Sequence, residues 1–323
     1  SPIPIFGCIT RTFIFNFIII TYIKKLGKIM IKRGVYAAGL SVLNKDLSLN
    51  IDATISHAES AIKKGLHGVF FFGSTGQSQL ISISEKKELI SKLSSHKLRK
   101  KFYLGTGSNS LRENIEIIKY AVEYNFQTFL IMPPAYYKGN SDEGVFNFYS
   151  SIVENIPKIK IVLYNFEKLS GYKFTSESVI KLVKAFPQNI IGCKDSSYNL
   201  FESLKLPNFL IFPGSEAKLL KGLKLGCAGC ISAVTNVTHS LARKVFDDFE
   251  NNETQTVNKK LISIRETFDH FNLISSLHSF MLVNDEKYKN LLPPLILLSS
   301  QKQKELFIKL KNLNFLPKKD VAA

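Results

Sequence analysis

The sequence predicts an α/β chain folded as a (β/α)8 TIM barrel with a helical appendage at its C-terminal end. Three observations predict it. Short β-prone runs alternate with amphipathic helical stretches over roughly 220 residues, the count and length of eight strand–helix units. Turns rich in Gly, Ser and Thr, and several tyrosines, fall directly after the strand candidates, at the end where such barrels keep their chemistry. At 323 residues, 45% of them hydrophobic, the chain can bury a core of that size.

The elements follow in order. The β-rich run Val35–Val42 is the first strand candidate, and Ala53–Lys64 the first amphipathic helix. Gly68–Phe72 and Ser84–Leu93 form the second pair, Phe102–Gly105 and Arg112–Tyr124 the third, Thr128–Met132 and Glu143–Glu154 the fourth. Ile159–Tyr164 with Ser176–Ala185 makes the fifth. Ile190–Lys194 and Phe209–Phe212 are strands followed by shorter segments, and Gly229–Ala233 leads into the helix Ser240–Phe249. Beyond about residue 250 come three helical stretches, Thr254–Phe268, Leu273–Leu282 and Gln301–Leu313. The expected division is therefore an upstream extension over 1–29, a catalytic barrel over 30–250, and helices packed on it over 251–323. A doubly wound sheet is the alternative, resting on Gly105-Thr106-Gly107-Ser108-Asn109-Ser110, which lacks the third glycine of a dinucleotide fingerprint.

Charge and cysteine usage exclude some classes. The formal net charge is +17, yet the basic residues are scattered, the densest cluster being Lys97-Leu98-Arg99-Lys100-Lys101. No aromatic-interleaved basic stripe accompanies them, so no nucleic-acid partner is expected, and the charge points to anionic small molecules. The cysteines are Cys8, Cys193, Cys227 and Cys230. Cys227-Ala228-Gly229-Cys230 has CxxC spacing, but no second pair or paired histidines join it, so a structural role and a reducing, cytoplasmic setting are expected, with no metal. The apolar run Phe13–Ile23 is shorter than the about 20 residues of a membrane span, and Met30 falls just before the first strand candidate, as a natural start would.

Lys194 is the most informative residue. An apolar run, Asn189-Ile190-Ile191-Gly192-Cys193, delivers one lysine just where small polar residues begin. At a barrel mouth, an amine against apolar walls can attack a ketone and form a Schiff base. Other strand ends add partners: Gly73-Ser74-Thr75-Gly76, whose hydroxyls and amides can cradle a carboxylate, and Pro133-Pro134-Ala135-Tyr136-Tyr137. Leu163-Tyr164-Asn165 offers a phenol that can relay protons while a carbinolamine dehydrates.

These stretches, with Gly192-Cys193-Lys194-Asp195 and Gly229-Cys230-Ile231-Ser232, resemble the dihydrodipicolinate synthase/N-acetylneuraminate lyase family of pyruvate-handling class I aldolases. The resemblance runs from about Gly34 to Leu313. It implies that Lys194 forms the imine, that Tyr164 transfers protons, and that Tyr137 completes a hydroxyl relay, often across a subunit contact. Ser74 and Thr75, in the turn bounded by Gly73 and Gly76, would hold the pyruvate carboxylate, and the Ile231 carbonyl would line the pocket. It also implies a homo-oligomer, dimer or tetramer, that takes pyruvate and an aldehyde with no cofactor beyond the covalent Schiff base. Synthases of this family usually carry an arginine five residues after the strand-5 tyrosine, to grip the second substrate's carboxylate. Leu169 stands there, with Lys168 beside it. Acidic residues after strand 7 mark lyases that bind sialic acid, and Gly214-Ser215-Glu216-Ala217 keeps one. The expectation is an aldolase or lyase acting on a 2-keto-3-deoxy sugar acid or related keto acid. Dihydrodipicolinate-type synthesis is the alternative, and a keto-acid-binding barrel without catalysis a lesser one.

Overall fold

The structure, a computed structural model, describes residues 31–317. The extension over 1–29, the start at Met30 and Cys8 lie outside the described residues. Eight strands, β1 (Gly34–Ala38), β2 (Gly68–Phe71), β3 (Phe102–Gly105), β4 (Thr128–Ile131), β5 (Lys160–Asn165), β6 (Ile190–Asp195), β7 (Leu210–Pro213) and β8 (Gly229–Ser232), form one sheet. Their order is β7-β6-β5-β4-β3-β2-β1-β8, and every ladder is parallel. The remaining seam is crossed by the Ala228 N–H, which donates to the Ile211 carbonyl at 2.8 Å. β1 thus lies between β2 and β8, as a closed barrel requires and a doubly wound sheet does not.

Helices α1 (Ile51–Lys63), α2 (Ile83–Ser94), α3 (Leu111–Glu123), α4 (Asp142–Asn155), α5 (Ser176–Ala185), α6 (Leu219–Lys224) and α7 (Thr235–Glu250) cover the outside. Their starts are written in the sequence. Asn50, Ser82, Ser110, Ser141 and Thr175 each cap a helix by accepting from a backbone N–H of its first turn. An aromatic layer fills the barrel interior: Tyr36 packs edge-on against Phe70, Tyr103 and Phe212, with centroids 5.6–5.9 Å apart.

The first strand ends four residues before the expected Val42, the largest such difference, where β2, β4 and β8 end one residue early. β1 ends at Ala38 because its continuation is claimed by other partners: Leu40 N–H by the Asn236 side chain, and Val42 N–H by Thr54 Oγ1. The chain then crosses the mouth, where Ser41 Oγ donates to the Gly76 carbonyl at 2.7 Å.

After α7 come α8 (Asn258–Asp269), α9 (Leu273–Leu282) and α10 (Ser300–Asn312). Ile264, Phe268, Leu277, Phe280, Leu306 and Leu310 pack with Leu40, Val42 and Val237 of the barrel into a second apolar core. Polar contacts fix the seating. His57 of α1 lies 2.8 Å from Tyr288 Oη and 2.8 Å from Asn236 Oδ1. Asn236 Nδ2 donates to the Ala38 and Ala233 carbonyls, which fixes its amide. His57 must then donate from Nε2 and accept at Nδ1 from the Tyr288 hydroxyl.

Candidate active site

The turn after β2 is built under constraint. Phe72 (φ 59°) and Gln77 (φ 57°) both hold left-handed conformations and bracket Gly73-Ser74-Thr75-Gly76. A bulky aromatic in that region is strained, and such strain persists where surrounding contacts over-determine it. Those contacts are the Ser41–Gly76 bond and the Leu292 N–H, which donates to Gln77 Oε1 at 2.7 Å. Ser74 Oγ is thereby placed 3.0 Å from the Tyr164 hydroxyl of β5.

Tyr164 and Lys194 are register partners on adjacent strands. Lys194 is 3% exposed, and its Nζ lies 4.2 Å from the centre of the Tyr164 ring. The residue after each anchors the pair. Asn165 Nδ2 donates to Asp195 Oδ1 at 2.8 Å, and the fully buried Asp195 also accepts the N–H groups of Tyr198, Leu200 and Phe201. The two strand ends therefore carry amine and phenol on a cross-linked frame. Neither Asn165 nor Asp195 was singled out from sequence. Their signal was only adjacency to Tyr164 and Lys194.

A cavity of about 500 Å³ opens over this frame. Gly73, Ser74, Thr75, Tyr164 and Leu169 line it; Lys194 is not itself a lining residue but packs on the ring of Tyr164, which is. The loop after β3 supplies Thr106, Gly107 and Ser108. Gly107 has φ 56°, and a side chain there would run into Ser78. Lys86 of α2 holds this loop from below, donating to the Thr106 and Gly107 carbonyls at 3.2 and 2.8 Å. Burial pulls the Lys86 ammonium down to about 8, with Glu113 opposing. A further wall, Asn272, Leu273, Ile274, Pro294 and Leu295, comes from the appendage. Sequence reasoning gave these residues only a packing role, because no local pattern links residue 273 to a strand end.

Other expected residues lie elsewhere. Tyr137 is 74% exposed and stacks edge-on with Tyr136 at 5.3 Å; within one chain it does not join the Ser74–Tyr164 pair. Lys168 is exposed outside the cavity lining. Gly76 lies under the turn against Gly39 and Ser41, Ile231 is buried in β8, and the Gly214 N–H donates to the Asp195 carbonyl. Glu216 lies outside the cavity lining. Its carboxylate is fully buried and accepts from Ser232 Oγ, Thr238 Oγ1 and Arg265 Nη1 at 2.5, 2.9 and 3.1 Å. A buried carboxylate must be paired, and α8 supplies the cation. Among the described residues, no Lys, Arg, Asp, Glu or His lines the cavity. Cys193, Cys227 and Cys230 are buried and free, and burial pushes the Cys227 thiol up to about 11.

Comparison with known proteins gives the family and the fold. Residues 32–313 match the model of the dihydrodipicolinate synthetase family. A 4-hydroxy-tetrahydrodipicolinate synthase of Methanococcoides burtonii is 28% identical over 293 residues, 88% of this chain and 99% of that protein. An N-acetylneuraminate lyase of Clostridium perfringens is 27% identical over 232 residues, 69% of this chain and 78% of the lyase. In fold, the chain superposes with a TM-score of 0.81 on the Cyanidioschyzon merolae dihydrodipicolinate synthase solved with lysine bound. That match has 21% identity and covers 90% of this chain and 100% of the other. A prophage protein of the dihydrodipicolinic acid synthase family from E. coli K12, solved in complex with pyruvate, gives 0.80 at 22% identity, covering 88% and 99%.

Proposed function

The chain belongs to the dihydrodipicolinate synthetase family of lyases, and on that premise we propose that it is a class I aldolase whose Lys194 forms an imine with pyruvate. The observation that carries this is the packing of Lys194 Nζ on the ring of Tyr164, whose hydroxyl meets Ser74 Oγ at 3.0 Å beside an open cavity.

The chemistry runs as follows. The Lys194 amine attacks C2 of pyruvate and forms a carbinolamine. Tyr164 delivers the proton that lets hydroxide leave as water. The resulting iminium is an electron sink, so a proton lost from C3 gives an enamine. That carbon attacks an aldehyde, or in reverse is released when a C–C bond breaks, and water hydrolyses the product imine to regenerate the amine. Ser74 and Thr75 orient the carboxylate and Ser74 polarises the Tyr164 hydroxyl. No further cofactor is needed, because the covalent imine supplies the sink. Two or four copies are proposed to assemble: Tyr136 and Tyr137, 81% and 74% exposed, follow the cavity residue Ala135 directly and suit insertion into a second copy. A cytoplasmic setting suits the buried free thiols, and among the described residues no helix is long and apolar enough to cross a membrane. Dihydrodipicolinate-type synthesis is the second reading, supported by the full-length match to the M. burtonii synthase and opposed by Leu169 in the arginine position.

The test is hydrogen–deuterium exchange of the pyruvate methyl group in D2O, followed by proton NMR. Enzyme-dependent exchange in the wild type, lost in Lys194→Ala, is expected. No exchange above buffer with folded wild-type protein would remove the enamine and the proposal with it.

A further inference from the structure

The lining of the cavity carries no charge and is mostly apolar. Beside the hydroxyls of Ser74, Thr75, Thr106 and Tyr164, which serve the keto-acid end, its polar side chains are the neutral Gln77, Ser78, Gln79, Ser108 and Asn272, and large apolar side chains make up most of the rest. Met132 follows β4, Phe166 and Leu169 follow β5, and Leu273, Ile274 and Leu295 come from the appendage. Leu80 and Leu169 are 42% and 40% exposed, large aliphatic side chains left in water at the edge of a cavity they line. Lone exposed apolar residues are ordinary; several converging on one concave surface mark a binding site.

Charge makes the same point by its distribution. The chain carries +17, and α2 and α3 carry ion pairs such as Lys87–Glu116, yet among the described residues none of this charge reaches the cavity wall. Glu216, the acidic residue nearest in sequence to a sugar-binding position, is turned inward and neutralised by Arg265. An aldehyde bearing a carboxylate would lose its hydration against this wall and find no cation among the lining residues to pair with. An aldehyde with a hydrocarbon tail would bury it. Each methylene moved from water to such a wall is worth roughly fourfold in affinity.

From these observations we infer that the second substrate is an apolar aldehyde, aliphatic or aromatic, so that the product is a 4-hydroxy-2-oxo acid with a hydrocarbon tail. The inference rests on the pyruvate-imine reading above and names the acceptor for the same site. In the condensation, C3 of the enamine bonds to the aldehyde carbon. The carbonyl π pair becomes an alkoxide that takes a proton, and water then cleaves the imine, releasing the product and the Lys194 amine. In the reverse direction the same bond breaks and the apolar aldehyde leaves.

The experiment measures kcat/KM for condensation of pyruvate with benzaldehyde, hexanal, glyceraldehyde and succinic semialdehyde, on wild type and Leu169→Arg, with pyruvate methyl exchange run in parallel. The expected result is a preference of tenfold or more for hexanal or benzaldehyde over both polar aldehydes. In Leu169→Arg the preference should shift by tenfold or more toward succinic semialdehyde, whose carboxylate the new guanidinium can grip. Intact methyl exchange with glyceraldehyde or succinic semialdehyde equal or superior in the wild type would overturn the acceptor assignment alone. Absent methyl exchange would take down the pyruvate reading and the acceptor assignment together.

Discussion

Asp195→Asn tests whether the frame beneath the amine holds it in place. The carboxylate accepts four N–H donors, two on each oxygen: Asn165 Nδ2 and the Tyr198 N–H on Oδ1, the Leu200 and Phe201 N–H groups on Oδ2. An amide has one acceptor oxygen, so whichever way it is turned, two donors face an NH2 group. Leaving a buried donor unsatisfied costs about 1–3 kcal/mol, and the two remaining bonds lose their charge assistance, so about 3–6 kcal/mol in total is expected. That is a large part of the 5–15 kcal/mol typical of a folded domain. Urea unfolding followed by circular dichroism reads the loss. Because Lys194 precedes Asp195 directly, pyruvate methyl exchange per folded molecule should also fall tenfold or more. Stability within about 1 kcal/mol of wild type, or unchanged exchange in the folded variant, would refute the claim that this carboxylate positions the amine.

Three further outcomes are expected. Tyr164→Phe should slow imine formation about 10²–10⁴-fold, the usual worth of a positioned acid–base group, whereas Ser74→Ala, which removes one hydrogen bond to that phenol, should cost about tenfold; stopped-flow trapping at fixed pyruvate separates them. Burial pulls His57 and His278 from 6.5 down to about 4, so the unfolded chain binds more protons between those values and stability falls as pH drops through that window. The two together give a loss of about 4 kcal/mol at pH 5 relative to pH 8; burial also pulls His239 down to about 4, so His57→Gln should remove about a third of the slope in urea midpoints. Lys86, pulled from 10.5 to about 8 by burial, has the same sense in a higher window: the unfolded chain holds its proton longer, so stability gains from this group as pH rises from 8 to 10.5. Lys86→Met should flatten the rise in melting temperature over that range.

Most of the fold was legible because barrel strands announce themselves locally. Gly68–Phe71 and Phe102–Gly105 are short apolar runs ended by Gly- and Ser-rich turns, and the helices that follow them begin at the serine caps Ser82 and Ser110. β1 was overextended because Gly39-Leu40-Ser41-Val42 is as β-prone as the strand itself; its hydrogen bonds go to Asn236 and Thr54, which local sequence cannot reveal. In the site, Ser74, Tyr164 and Lys194 were readable from motif and strand end. The burial of Glu216 was not legible because its partner Arg265 lies far along the chain on α8, and the pairing exists only in three dimensions. The appendage's share of the cavity, through Leu273, Ile274 and Leu295, escaped for the same reason.

The central claim is that Lys194 is the imine-forming residue. The most direct measurement is intact mass after treatment with pyruvate and borohydride, with peptide mapping, on wild type and Lys194→Ala. The account predicts one reduced pyruvate adduct per wild-type chain, mapped to Lys194, and none in the variant. An adduct on another lysine, or no adduct on folded wild-type protein, would contradict it.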